Sequence, residues 1–196
     1  GRDGIVLKAQ VLAEQASRYG DSGILGLGRS PDTVLYVVTD EEGNSRVMER
    51  RLDGAAEAVE LYAEVLIHNL LFDPVSRLHI GYWKEGVRPE LVMLDPNTQA
   101  RVAATRKAFP GSRVHFAAFS GGLDRMVVLT EGDEDSGTWW LVDIAQGSAD
   151  ILGQNFPQIS AGQIGPTREW QYRAADGLEI EAIVTEPPTG ARDNMA

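Results

Sequence analysis

The sequence predicts an all-β fold made of repeated antiparallel units, and three observations predict it. Short β-branched and aromatic runs recur along the chain, separated by turn residues. The runs pair off as hairpins. The hairpins recur at a nearly constant interval, which a single irregular sheet would not require.

The elements follow in order. Val34-Leu35-Tyr36-Val37-Val38-Thr39 meets the turn Asp40-Glu41-Glu42-Gly43-Asn44 and returns through Arg46 to Arg50, a first hairpin. Residues 55–66 (AAEAVELYAEVL) favour a helix by propensity. Their place in the repeat requires an outer strand and a linker instead, and that is the expectation adopted. Leu78 to Trp83 meets Lys84-Glu85-Gly86 and returns through Glu90 to Leu94, a second hairpin. Asp95 as N-cap, Pro96 at the first helical position and Pro110-Gly111 as a stop predict one short helix near 96–108. Met126 to Thr130 meets the acidic stretch Glu131 to Gly137 and returns through Thr138 to Ile144, a third hairpin. Glu169 to Thr185 reads as two more strands around Ala175-Asp176-Gly177.

The three hairpins align as one unit. Ser30-Pro31-Asp32, Asp73-Pro74-Val75 and Ser120-Gly121-Gly122 are turns that each precede a strand. Leu52-Asp53-Gly54, Leu94-Asp95-Pro96 and Val142-Asp143-Ile144 close each unit with an aspartate after an apolar residue. Leu35 and Leu78 are 43 positions apart, and Leu78 and Met126 are 48. A period of ~40–50 residues with four short strands per unit is the pattern of a propeller blade. The expected fold is therefore a partial β-propeller of about three to four antiparallel blades. Val34 to Val38 and Met126 to Leu129 are almost continuously apolar, as strands buried on both faces by stacked blades should be.

Composition narrows the function. The 196 residues suffice for one sizeable domain or two small ones. There is no cysteine, which excludes disulfides, zinc-thiolate sites and cysteine nucleophiles. The net charge is −11, and Lys and Arg form no cluster, so neither nucleic acid nor an anionic membrane is an expected partner. No apolar run approaches the ~18 residues of a membrane span, and no signal peptide is visible. The chain opens Gly1-Arg2-Asp3-Gly4 without Met, so its start says little about compartment. A soluble protein is expected, with cytoplasm or periplasm left open.

Each candidate for chemistry has a structural explanation that fits better. Gly20-Asp21-Ser22-Gly23 matches the surroundings of a trypsin-like nucleophile, but no histidine precedes position 68, and these are common turn residues. His68 and His79 would lie diagonally on one face of a hairpin if Asp73 to Ser76 form its turn. That spacing of ~7–8 Å is too wide for two metal ligands without help, so ordinary hydrogen bonds are expected. His115 and Ser120 point to opposite faces of a regular strand and make a poor dyad. The loop Glu131 to Asp135 lacks the spacing of a known calcium loop and reads as a solvated hairpin tip. Trp139 and Trp140 should face opposite ways, one in the core between blades and one at a surface or domain contact. No residue is assigned as catalytic, cofactor-binding or metal-ligating, and no cofactor is expected.

The segment from Phe119 to Ile159, FSGGLDRMVVLTEGDEDSGTWWLVDIAQGSADILGQNFPQI, carries a resemblance. An acidic loop leads through Gly137-Thr138 into Trp139-Trp140, then to Leu141-Val142-Asp143, the small residues Ala145-Gln146-Gly147, and a closing Leu152 and Pro157. This resembles the last propeller blade of the prolyl oligopeptidase family of serine peptidases, especially the acylaminoacyl-peptidase and dipeptidyl aminopeptidase branch. The resemblance runs from about Leu71 onward. It implies that Tyr172 to Ile180, followed by Glu186-Pro187-Pro188-Thr189-Gly190, is the crossing from propeller to α/β-hydrolase domain. Residues 1–160 would then be blades, and 161–196 a linker ribbon toward a hydrolase domain that the sequence does not include. The G-x-S-x-G pentapeptide of such a domain occurs nowhere in the chain.

The implied function is the non-catalytic propeller portion of a serine peptidase, which gates the access of short peptides. Its partners would be the peptide substrate and the hydrolase domain of the same parent, and the fragment is expected to self-associate and to hydrolyse nothing alone. The alternative is a stand-alone β-propeller binding or scaffold module for protein partners, which has no reason to carry the ribbon after Gln171. A propeller lactonase would need convergent metal ligands from several inner strands, and the sequence offers no such set.

Overall fold

A computed structural model describes residues 23–86 and 88–188. The fold is all-β, with four antiparallel sheets and one α-helix among the described residues. In each sheet, strands consecutive in the chain are neighbours, the meander of a blade. The chain divides into two compact units. The first runs to Ile67 and includes Arg77–His79; the second comprises His68–Ser76 and the chain from Ile80 onward.

The first unit holds a four-stranded sheet: β1 (Ile24–Leu27), β2 (Thr33–Thr39), β3 (Ser45–Arg51) and β4 (Val59–Leu61), in that order. β2 and β3 pair without interruption from Thr33↔Arg51 to Thr39↔Ser45. Their turn forms because Asp40 Oδ1 accepts the Glu42 and Asn44 amides, at 3.1 and 2.8 Å, while Gly43 takes φ +87°. β4 lies in the stretch that favours a helix by propensity. It pairs with β3 from Val47↔Leu61 to Glu49↔Val59, so the demand of the sheet edge overrides the local preference.

The second unit continues with β5 (Ile67–Phe72), β6 (His79–Lys84) and β7 (Glu90–Met93), whose first residues Ile67 and His79 fall in the first unit. Then come α1 (Pro96–Ala108) and a second four-stranded sheet of β8 (Ser112–Phe119), β9 (Arg125–Gly132), β10 (Asp135–Asp143) and β11 (Ser148–Gln154). A two-stranded ribbon, β12 (Thr167–Arg173) and β13 (Glu179–Thr185), ends the described chain. The helix has the predicted bounds. Asp95 Oδ2 accepts the Thr98 amide at 2.9 Å, Pro96 opens the first turn, and Arg106 and Lys107 sit in the last.

The core of the second unit joins the two sheets and the helix. Leu91 and Met93 of β7, Val102 of α1, Phe116 of β8, Leu123 of the turn before β9, Met126 and Val128 of β9, and Val142 of β10 form one buried cluster. Register explains the membership. Met126 faces Val142 across the β9–β10 pair and Val128 faces Trp140, so alternate residues of both strands supply one face.

Three expectations change in detail. The middle sheet has three strands rather than four, and α1 follows it directly. Strand burial alternates in β9, where only Met126, Val128 and Thr130 are fully buried, while in β2 only Leu35 is. β9 therefore has one deep and one shallow face, β2 is deep at Leu35 alone, and neither run is deeply buried on both faces. The third hairpin is tight, with Asp133 and Glu134 between its strands, because Asp135 begins β10 and a register shift before Thr138 absorbs the extra length.

Candidate functional site

The aspartates that close each repeat are structural acceptors. Asp53 Oδ1 takes the Ala55 amide at 3.0 Å, Asp95 takes that of Thr98, and Asp143 Oδ1 takes that of Gln146 at 3.0 Å. The same job is done before a strand by Asp73, whose Oδ1 accepts the Val75 and Ser76 amides at 3.0 and 2.6 Å. The Ser76 amide holds the Asp73 carboxyl below its ordinary value, against the opposing effect of burial. The Gln146 amide, then the Arg125 guanidinium, do so for Asp143. At the surface, the Arg51 guanidinium brings Asp53 down to about 2. In Asp53, Asp73 and Asp143 the turn amides and neighbouring guanidiniums thus favour the charged carboxylate.

The histidines do not converge. His68 is exposed on β5. His79 is 2% exposed, and its Nε2 lies 2.5 Å from the Tyr62 hydroxyl, with the rings edge to face at 5.8 Å. The loop before β6 runs from Asp73 through Leu78, longer than the four-residue turn that would put both histidines on one hairpin. His115, exposed on β8, meets Glu131 Oε2 at 3.1 Å. Ser120 Oγ accepts the Arg125 amide at 2.9 Å, so Ser120 and His115 have separate partners.

The acidic tip is likewise dispersed. Glu131 turns to His115, Asp133 Oδ1 accepts the Thr167 amide at 3.1 Å, and Asp135 Oδ1 accepts from Gly137 N and Thr138 Oγ1, at 3.0 and 2.7 Å. Among the described residues no group of three or more His, Asp or Glu side chains is placed to hold a metal ion. The two tryptophans do divide. Trp140 packs on the core, 5.2 Å from the Phe109 ring, and donates to Thr130 Oγ1 at 2.8 Å. Trp139 faces the other way and donates to Asn155 Oδ1 at 2.7 Å. Gly20-Asp21-Ser22 of the trypsin-like tetrapeptide lies outside the described residues.

Two features remain without a structural explanation. One is the ribbon. By register, Trp170 faces Ala182, Tyr172 faces Ile180 and Arg168 faces Val184. One face is therefore largely apolar, with Trp170 53% and Tyr172 48% exposed. The other face carries Gln171–Glu181 and Arg173–Glu179 bonds at 3.1 and 2.7 Å. The second is an open cleft of about 570 Å³ along β8, which the sequence did not signal. It brings Arg88, Arg106 and Arg113, three residues remote in the chain, to one place.

No protein-family model matches the chain, and no curated protein matches it.

Proposed function

We propose that this chain is the non-catalytic β-propeller portion of a serine peptidase of the prolyl oligopeptidase type. Its blades would gate the access of short peptides to an α/β-hydrolase domain of the same parent. The observation that carries the reading is the ribbon's exposed apolar face. An isolated two-stranded ribbon is marginal in water, and an aromatic face needs a third layer to cover it. A hydrolase domain following in the chain supplies that layer: the ribbon lies where the resemblance places the crossing, and Trp170, Tyr172, Ile180, Ala182 and Val184 are the residues to be covered.

The division of labour follows from the chemistry. Acyl transfer to a serine needs a nucleophile, a base that orients it and an oxyanion hole. The hydrolase domain would supply all three. The blades would contribute exclusion by size, which requires rigid sheets rather than reactive groups. Without the hydrolase domain, the fragment would cover its ribbon by self-association.

The test is to express the reading frame extended past Ala196 and expose it to a fluorophosphonate probe. The expected result is a labelled serine within a downstream G-x-S-x-G and no label on residues 1–196 alone. An extended frame that supplies no such serine and takes no label overturns the reading in favour of a binding module.

A further inference from the structure

The cleft along β8 is lined by four consecutive residues, Ser112 to His115. Consecutive strand residues point to opposite faces, so a cleft that touches all four must run along the strand's edge. Among the described residues β8 pairs with β9 alone, and the sheet order β11-β10-β9-β8 leaves β8 at its border. An edge strand directs alternate amides and carbonyls outward with no strand to receive them. The Ser112 amide is already bonded to Phe109 O at 3.2 Å, and the register breaks between Phe116 and Ala118. The regular open stretch is therefore short, from Arg113 to Phe116.

Charge gives the edge a preference. Arg113 is half-buried, and its side chain has no ion-pair or hydrogen-bond partner among the described residues. Its cross-strand neighbour is Glu131, but that carboxylate turns to His115. Arg106 stacks over Phe116, 5.6 Å from the ring centre, and reaches Glu90 only at 3.9 Å. Arg88 is held by Glu169 at 2.7 Å. Glu169 thus answers Arg88, Glu90 lies near Arg106 and Glu131 turns to His115, which leaves one guanidinium of the three without a carboxylate. The uncommitted group is Arg113, and it is a donor fork suited to a carboxylate.

We propose that the β8 edge binds an extended peptide segment by strand addition, with one acidic side chain of that segment seated on Arg113. Main-chain bonds to the outward groups of β8 supply affinity, and alternate side chains supply selectivity. The acidic residue lands on the face of Arg113 and His115. Its immediate neighbours in the peptide land on the other side, the face of Val114, which lines the cleft, and apolar residues suit it. The segment preferred is therefore apolar–acidic–apolar. This site needs no catalytic domain and stands whether or not a hydrolase follows.

The experiment measures fluorescence anisotropy of end-capped, labelled Thr-Val-Glu-Val-Thr, alongside a peptide with Lys in place of Glu and a Glu peptide N-methylated at alternate amides. Wild type is expected to bind the Glu peptide saturably and the other two at least roughly tenfold more weakly. Arg113→Glu is expected to reverse the preference between Glu and Lys peptides. Arg113→Gln should lose the preference while melting at the wild-type temperature, which keeps folding out of the comparison. Absence of saturable binding up to about 1 mM overturns the proposal. So does equal binding of the N-methylated peptide, which reveals a charge site without strand pairing, and so does an unchanged preference in Arg113→Glu. The fluorophosphonate labelling reads a different residue in a different domain, so either test can fail alone.

Discussion

Glu49 is a carboxylate 6% exposed on β3, and its neighbours explain why it stays charged. Burial pushes its pKa up. The Arg29 amide at 2.7 Å, the Arg29 Nε at 2.7 Å and the Thr33 hydroxyl at 2.8 Å outweigh that and bring it below the ordinary value. Gly28 makes the approach feasible, since a Cβ there would overlap Thr33 Oγ1 and Glu49 Oε1. Glu49→Ala removes the acceptor from the buried end of this cluster. Arg29 is half-exposed and can rehydrate, so the expected loss is about 1–3 kcal/mol rather than the ~3–5 kcal/mol of a fully buried pair. Urea unfolding checks it, and a variant as stable as wild type would mean the cluster is decorative.

At the scale of elements, α1 is held at its start and at its middle by identifiable contacts. Asp95 caps its start, and Arg101 reaches the Gly122 carbonyl and Asp124 Oδ1, tying the helix to the turn before β9. Val102 and Thr105 are its buried residues, so packing depends on a narrow stripe and the cap matters more than in a broadly amphipathic helix. Asp95→Ala is expected to cost about 1 kcal/mol and to speed hydrogen exchange at the Thr98 amide. An unchanged Thr98 rate would show that the first turn is held by packing alone.

For the whole molecule, the turn carboxylates set the response to acid. Glu49, Asp73 and Asp143, with Asp32, Asp40 and Asp53, all have folded pKa values below their ordinary ones. Protons therefore bind the unfolded chain more tightly. The stabilisation is complete above the ordinary values of 4.5 for Glu49 and 3.8 for the aspartates, and it is lost as pH falls through the folded values. Thermal melts should be level down to about pH 5 and fall steadily below it. A Tm that holds down to pH 2.5 would contradict this. The ribbon makes the second whole-molecule prediction. Sedimentation of residues 1–196 should show concentration-dependent association, and Trp170→Ser with Tyr172→Ser should abolish it without changing the melt of the blades. A wild type that stays monomeric at every concentration would contradict the docking role of the ribbon.

What the sequence determined by itself was local. The three hairpins, the helix from Pro96 to Ala108 and the aspartate turns were legible because each is set by residues within a few positions of one another: Asp40 with Asn44, Asp95 with Thr98, Asp143 with Gln146. The repeat was legible because those local signals recur. It even settled residues 55–66, where a strand formed against helical propensity. Only the tertiary structure decided the rest. Which tryptophan enters the core depends on a partner strand, as does the collapse of the acidic tip to two turn residues. Tyr62 reaches His79 and Glu131 reaches His115 across spans that no local pattern encodes. The cleft is the clearest case. Arg88, Arg106 and Arg113 read as scattered surface charges in the chain, and they share a cleft because a strand edge, a helix and a hairpin fold onto one another. Local chemistry specifies turns and caps; edges, registers and charge clusters exist only once distant segments have met.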